Sequence, residues 1–275
     1  MNSELNVAVC QMTSIDSVEA NFNQIQKLIS SVPVDKNVEL FCFPENALYM
    51  RLVEGEKVPA LKLSDDVFSK LRNLAKERKA ALHIGASPIE VDGQVFNGTV
   101  FIQPDGTLSS PYQKMHLFDI QLQGQKAIRE SDVFKHGPKP EVVEYLGWKI
   151  GQSICYDLRF AELYSQYAKA EVDLILVPSA FLPKTGEAHW EVLLRARAIE
   201  SQAYVVASAQ GGVHRNEKGA SRETYGHSLV VDPWGKILTQ MGTQIGVEIH
   251  TLTKQRIAEV RQQIPMKSHR RGTLA

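Results

Sequence analysis

Lys149-Ile150-Gly151-Gln152-Ser153-Ile154-Cys155, continued by Tyr156-Asp157-Leu158-Arg159-Phe160, is the stretch on which the fold turns. Its first half is a short, mostly apolar run that reads as a buried strand. A helical pattern begins near Arg159, so Cys155 falls at a strand-to-helix turn. The same alternation extends to both sides. Asn6 to Met12, Val38 to Phe43, Ala80 to Gly85, Val172 to Pro178, Tyr204 to Ala209, His227 to Asp232 and Val247 to His250 read as further strands. Ile89–Val91 and Asn97–Gln103 flank Asp92-Gly93, a hairpin turn signal.

Helical patterns fill the gaps. Asp16-Ser17-Val18-Glu19 resembles a capping box and precedes Phe22, Ile25, Leu28 and Ile29 on one face. Asp65 and Asp66 suit a helix's first turn, ahead of a stripe made by Val67, Leu71, Leu74 and Ala75. Gly186 to Gln202 carries Trp190, Leu193, Leu194 and Ala198 as its apolar stripe, with Glu191 and Arg195 one turn apart. Without repeats, low-complexity linkers or composition breaks, residues 1–275 read as a single α/β domain with a large mixed sheet, divided in two with helices outside. The polar stretch from Asp105 to Glu141 is too long for a plain connection and reads as functional or disordered.

The bulk numbers narrow the function. Hydrophobic residues make up 43% and charged residues 23%, as in ordinary globular proteins, and Lys plus Arg balances Asp plus Glu at 31 each. Zero net charge gives no global footprint for nucleic acid or an acidic membrane. The basic Lys267 to Arg271 reads as a solvated or interface tail. The N-terminus lacks the pattern of a signal peptide, and no apolar run is long enough to span a bilayer, so the expectation is a soluble cytoplasmic protein. Cys10, Cys42 and Cys155 are too few for a disulfide framework and not at zinc spacings, so no metal is expected. There is no glycine-rich dinucleotide fingerprint or P-loop.

Three residue groups point to chemistry. Cys155 at its turn is a candidate nucleophile, because backbone N–H groups at such a junction bind developing negative charge. A thiol with a pKa near ~8.5 needs a base or a cation to react at neutral pH. Glu45, after the strand-stopping Pro44 in Phe41-Cys42-Phe43-Pro44-Glu45, is a candidate base that would gain basicity among Phe41, Phe43 and Tyr49. Lys114 lies in Tyr112-Gln113-Lys114-Met115-His116-Leu117-Phe118-Asp119, an apolar island in the polar stretch, and is a candidate oxyanion cation. The bland alternatives are a buried thiol, a surface acid and a snorkelling lysine. His116 is a rival base or a structural histidine.

Taken together, Phe43-Pro44-Glu45, the segment 112–119 and Cys155-Tyr156-Asp157-Leu158-Arg159-Phe160 resemble the nitrilase superfamily of carbon-nitrogen hydrolases, over nearly the whole chain from Val7 to about Arg271. The resemblance implies an αββα sandwich that dimerises or forms a larger homo-oligomer through its helices. It also implies hydrolysis of a small amide with no cofactor, Glu45 as general base, Lys114 as oxyanion cation and Cys155 as nucleophile. The backbone N–H of Tyr156 would complete the oxyanion hole. Glu130 matches a second glutamate found in many members, which orients the lysine or the substrate amide; its alternative is pairing with Arg129. The segments Pro178–Phe181, Thr185–Glu200 and Tyr225–Gly235 are similar to the Nit branch, which includes deaminated glutathione amidases and ω-amidases, while Ala161 is shared with ω-amidases. Substrates of both carry carboxylates. Arg159 would grip one unless it pairs with Glu162 or Asp157, and Phe181 and Thr185 would line the pocket. Rival readings are a nitrilase or N-carbamoyl amino acid hydrolase with the same triad, a serine enzyme using Ser153, and a catalytically silent scaffold.

Overall fold

A computed structural model describes residues 2–121 and 127–271. Residues 122–126, inside the long polar stretch, lie outside the described residues. In chain order the strands are β1 (Glu4–Gln11), β2 (Leu40–Cys42), β3 (Ala81–Val91), β4 (Gln94–Ile102), β5 (Tyr112–Gln113), β6 (Asp119–Ile120), β7 (Ile128–Arg129), β8 (Val142–Tyr145), β9 (Trp148–Gln152), β10 (Leu174–Leu176), β11 (Tyr204–Ala207), β12 (Gly211–Arg215), β13 (Ser221–Tyr225), β14 (Leu229–Val231), β15 (Ile237–Gln240) and β16 (Gly246–Thr253). The α-helices are α1 (Val18–Ser31), α2 (Asp66–Arg78), α3 (Ala161–Lys169), α4 (Pro183–Ser201), α5 (Lys254–Gln263) and α6 (Met266–His269).

Two six-stranded mixed sheets result, ordered β16-β1-β2-β3-β4-β5 and β15-β14-β11-β10-β9-β8. They share a plan. Three central strands run parallel, β1-β2-β3 in one sheet and β9-β10-β11 in the other, with antiparallel strands on both sides. Parallel strands have both faces covered, which explains why their sequences are near-continuous apolar runs. Between the sheets, Val7, Val9, Leu40 and Phe101 meet Ile150, Leu174, Leu176 and Val206. On the outer faces, α1 and α2 pack on the first sheet through Ile25, Leu28, Phe68 and Leu71, and α3 and α4 pack on the second through Leu163, Tyr167, Trp190 and Leu194. The architecture is the expected αββα sandwich.

Several details differ from the sequence expectations. Strand β3 does not stop at Gly85 but continues to Val91 through a register shift between Ile84 and Ser87. A Cβ on Gly85 would fall 2.1 Å from the Pro44 carbonyl oxygen, so glycine lets the Phe43-Pro44 backbone cross close to the sheet there. The turn signal holds: Asp92 and Gly93 both take positive φ, and β3 pairs with β4 across them. Helix α1 is capped by Ser17, whose hydroxyl accepts from the Ala20 N–H, and it buries Asn21 beside the expected apolar stripe. The strand before the cysteine ends at Gln152, and Cys155–Arg159 is one 3-10 turn ahead of α3. No helix among the described residues is long and apolar enough to cross a membrane. The basic tail is exposed, with Lys267 on Glu171 and Arg270 on the Glu200 carbonyl.

Candidate active site

The carboxyl ends of parallel strands from both sheets converge on one cleft, the place where open α/β sheets bind ligands. From the first sheet, the chain leaving β2 is held by the Phe43 N–H on the His83 carbonyl at 2.9 Å and turned at Asn46, which takes φ 61°. That turn presents Glu45. Its main-chain oxygen accepts from Gln210 Nε2 at 2.9 Å. From the second sheet, the chain leaving β9 carries Cys155 at φ 46°, a left-handed conformation that costs energy for a residue with a Cβ. The turn is fixed from both sides. Cys155 N–H donates to the Pro178 carbonyl at 2.9 Å, and the buried Asp157 carboxylate accepts from Ile154 N–H, Tyr112 O–H, His116 N–H and the His116 ring. Arg197 of α4 adds a bond to the Leu158 carbonyl.

Lys114 arrives on the segment after β5. Its N–H donates to the Asn97 carbonyl at 2.9 Å, and its carbonyl accepts from Gly137 N–H at 2.7 Å. The side chain is 1% exposed. Its Nζ lies 2.9 Å from Glu45 Oε1 and 2.8 Å from Glu130 Oε2. Glu130 also accepts from Phe118 N–H, and Asn97 Nδ2 donates to Glu45 Oε1 at 3.0 Å and to Glu130 Oε1 at 2.7 Å. Burial alone opposes the ammonium charge, but the carboxylates of Glu130 and Glu45 outweigh it and hold Lys114 well above its usual pKa. Cys155 is pushed the other way from reactivity: burial raises its pKa first, the Glu45 charge adds to that, and Lys114 with the Ala180 N–H only partly compensates. The resting side chain is therefore a thiol, with Glu45 among the groups that disfavour its ionisation.

An open cleft of about 800 Å³ leads to these groups, lined by Glu45, Lys114, Glu130, Cys155, Tyr156, Arg159, Phe181 and Thr185 among others. All eight residues singled out in the sequence thus share one site. Arg159 pairs with neither Glu162 nor Asp157. Its guanidinium contacts the His189 ring at 2.9 Å and lies over the rings of Phe181 and Tyr156. Glu130 pairs with Lys114, not Arg129. His116 is stacked on Phe160 and bonded to Asp157, a structural role. Ser153 is fully buried between Tyr164 and the Leu176 carbonyl, outside the cleft lining.

One expectation fails. Phe41 and Phe43 turn away into the layer under α1 and α2, while Tyr49 lines the cleft with Glu45, whose carboxylate is held by the polar Asn97 and Lys114. Other residues escaped sequence reasoning altogether. Asn97 was detectable as a polar residue inside an apolar strand, a place where asparagine is depleted. Arg51, Glu54 and Arg222 also line the cleft, the first two as an ion pair at 2.6 Å, and nothing in their local sequence marks them. Among the described residues, no group of three or more His, Cys, Asp or Glu is placed to hold a metal ion.

Such a sandwich, with a thiol, a carboxylate and a lysine meeting at strand ends, defines a hydrolase-like site. The carbon-nitrogen hydrolase family matches residues 6–262, and the chain belongs to that family. It is 33% identical to a deaminated glutathione amidase from Dictyostelium discoideum, over 98% of this chain and 95% of that one. It is 37% identical to omega-amidase NIT2 from Xenopus tropicalis, over 92% and 90%. The solved structure of the Caenorhabditis elegans NitFhit protein superposes with a TM-score of 0.88 at 34% identity, covering all of this chain and 66% of that one.

Proposed function

We propose that the protein hydrolyses a small carboxylate-bearing amide to its acid and ammonia through a thioester on Cys155. The observation that carries this reading is the buried contact of Lys114 with Glu45 at 2.9 Å, with both groups acting on the Cys155 thiol at the cleft. Because the thiol is neutral at rest, Glu45 takes its proton as sulfur attacks the amide carbon. The C=O electron pair moves to oxygen, where Lys114 Nζ and the Tyr156 N–H receive it; that N–H has no acceptor among the described residues. Collapse expels the amine, protonated by Glu45, as ammonia. Glu45 then takes a proton from water, hydroxyl replaces sulfur at the acyl carbon, and the thiol is regenerated. Glu130 holds Lys114 from the side opposite Glu45.

The cleft supports this substrate class. Arg159 has no carboxylate partner among the described residues and is braced by two aromatic rings, so its fork is available to a substrate carboxylate. Deaminated glutathione-like and α-ketoglutaramate-like amides both meet that requirement. The test is ammonia release from deaminated glutathione, α-ketoglutaramate and succinamate, with nitriles and carbamoyl amino acids as competitors, together with mass spectrometry for an acyl adduct on Cys155. Near-normal turnover by Cys155→Ala would end this reading. We also infer a homo-oligomer: Val192 and Ile199 on α4, with Trp234 close by, leave large apolar groups exposed on the outer layer. Sedimentation velocity at micromolar concentration tests it, and a monomer refutes it.

A further inference from the structure

Asn97 stands where a strand residue would normally be apolar or β-branched, and it is 2% exposed. One side-chain nitrogen reaches two anions, Glu45 Oε1 at 3.0 Å and Glu130 Oε1 at 2.7 Å. Lys114 Nζ reaches the same two oxygens, at 2.9 Å and 3.1 Å. The four groups close a ring in which two carboxylate oxygens alternate with one charged donor and one neutral donor. The amide orientation is forced, since a carboxylate accepts only and a flipped Asn97 would point oxygen at oxygen. Its own Oδ1 is left buried with no hydrogen-bond partner among the described residues. An unpaired buried acceptor is costly, so the amide is aimed to satisfy the carboxylates at its own expense. The same residue also fixes Lys114 through the main chain, because its carbonyl accepts the Lys114 N–H.

We propose that Asn97 is a positioning residue for amide hydrolysis, a neutral strut that keeps Glu45 and Glu130 in place when Lys114 turns towards the oxyanion and that limits the basicity of Glu45. This rests on the reading of Glu45 as the base. Charge explains why the strut is an amide. A second cation there would hold Glu45 ionised too strongly for it to accept the thiol proton. A third carboxylate would repel both existing ones. The ionisable groups of this cluster are Lys114, Glu130, Glu45 and the Cys155 thiol. Asn97 itself does not titrate, so its removal acts on the pH profile through the two carboxylates it bonds, Glu45 and Glu130.

The experiment measures pH profiles of kcat and kcat/KM by ammonia release for the wild type, Asn97→Ala, Asn97→Asp and Glu45→Gln. In Asn97→Ala, Glu45 loses one hydrogen bond that favours its ionised form, so the acid limb of kcat/KM moves up by about one pH unit. Displacement of the base lowers kcat by about 10- to 100-fold, while KM stays nearly constant because Arg159 is untouched. Asn97→Asp is the slower of the two. A purely structural role would reduce the folded fraction, followed by circular dichroism, and leave the limb where it was. The limb of the surviving enzyme is readable even from a poorly folded variant. An unmoved limb with an inactive Glu45→Gln overturns this proposal alone. An active Glu45→Gln overturns the reading of Glu45 beneath it.

Discussion

Replacing Lys114 with methionine separates two things this lysine does. The change keeps an unbranched apolar stem and removes the ammonium with its hydrogen bonds to Glu45 and Glu130. Two carboxylates then face each other without a cation, Glu45 with its side chain 5% exposed and Glu130 at 11%. Removing one partner of a buried ion pair costs about 3–5 kcal/mol, because the remaining charge is uncompensated. The Asn97 and Phe118 N–H bonds remain and keep the figure at the lower end. Catalysis loses an oxyanion donor, worth about 100- to 1,000-fold in kcat. The two effects part in the double variant Lys114→Met/Glu130→Gln. Neutralising Glu130 removes the repulsion and returns most of the stability, yet leaves the oxyanion unsupported. Urea unfolding at pH 7.5 should show the single variant destabilised and the double variant largely recovered. Ammonia release should show both equally slow. If the double variant regains activity with stability, Lys114 is a structural counter-ion and not an oxyanion group, and the mechanism is wrong.

Three further outcomes follow from other parts of the molecule. Gly85→Ala puts a Cβ against the Phe43 and Pro44 carbonyl oxygens, so the backbone presenting Glu45 must shift; stability falls by about 1–3 kcal/mol and kcat by at least about tenfold. Normal kcat in this variant would show that the Pro44 crossing does not position Glu45. Arg159→Gln raises KM for a carboxylate-bearing amide by about 10- to 100-fold, with a much smaller effect on an uncharged amide of similar size; equal effects on both would remove Arg159 from recognition. Burial lowers His83 and His214 from the usual 6.5 to about 4. Between those values the unfolded chain binds protons that the folded chain refuses. The stability from each neutral imidazole is therefore complete above pH 6.5 and lost as pH falls towards 4, about 3 kcal/mol for each. Urea unfolding at pH 7.5, 5.5 and 4.5 reads that slope, and His214→Asn should flatten it; an unchanged slope would contradict the assignment.

The parts of this fold that could be read in advance are those governed by local periodicity. The apolar runs found β1, β10 and β11 to within a few residues, and the stripe through Trp190 and Ala198 found α4, because burial on one face imposes its period directly on the sequence. Gly85 misled, since a glycine ending an apolar run looks like a strand terminus. Its use is tertiary: it admits a crossing backbone, and β3 continues beyond it. The site divides in the same way. Glu45 and Cys155 follow strands that are themselves legible, so their positions at strand ends were inferable. Lys114 stood out only as a charge among apolar neighbours. Arg51 and Arg222 reach the cleft from a loop and from the β12–β13 ribbon, and no local rule links segments so distant in sequence. Phe41 and Phe43 show the converse error: alternation would carry Glu45 onto their face, but β2 ends at Cys42 and the chain turns through Pro44 and Asn46 before Glu45 can follow it.

The proton inventory of the site constrains its chemistry more tightly than its geometry does. Two carboxylates face one ammonium, and the thiol beside them is held in its neutral form by burial and by Glu45. A standing thiolate would place a third negative charge against a single cation, so the nucleophile cannot be stored in its reactive form, unlike cysteines paired with a protonated histidine. In the proposed mechanism the proton moves to Glu45 as the carbon–sulfur bond forms. At that moment the negative charge leaves for the carbonyl oxygen, and Glu45 becomes neutral. Lys114 is then free to follow the charge, because one of its two counter-ions has vanished. On this proposal the step that activates Cys155 also releases the cation that stabilises its product, and Glu130 keeps that cation in the site. A site with one carboxylate fewer would lose Lys114 to the oxyanion without means to recover it. A site with one cation more would leave Glu45 unable to accept the proton.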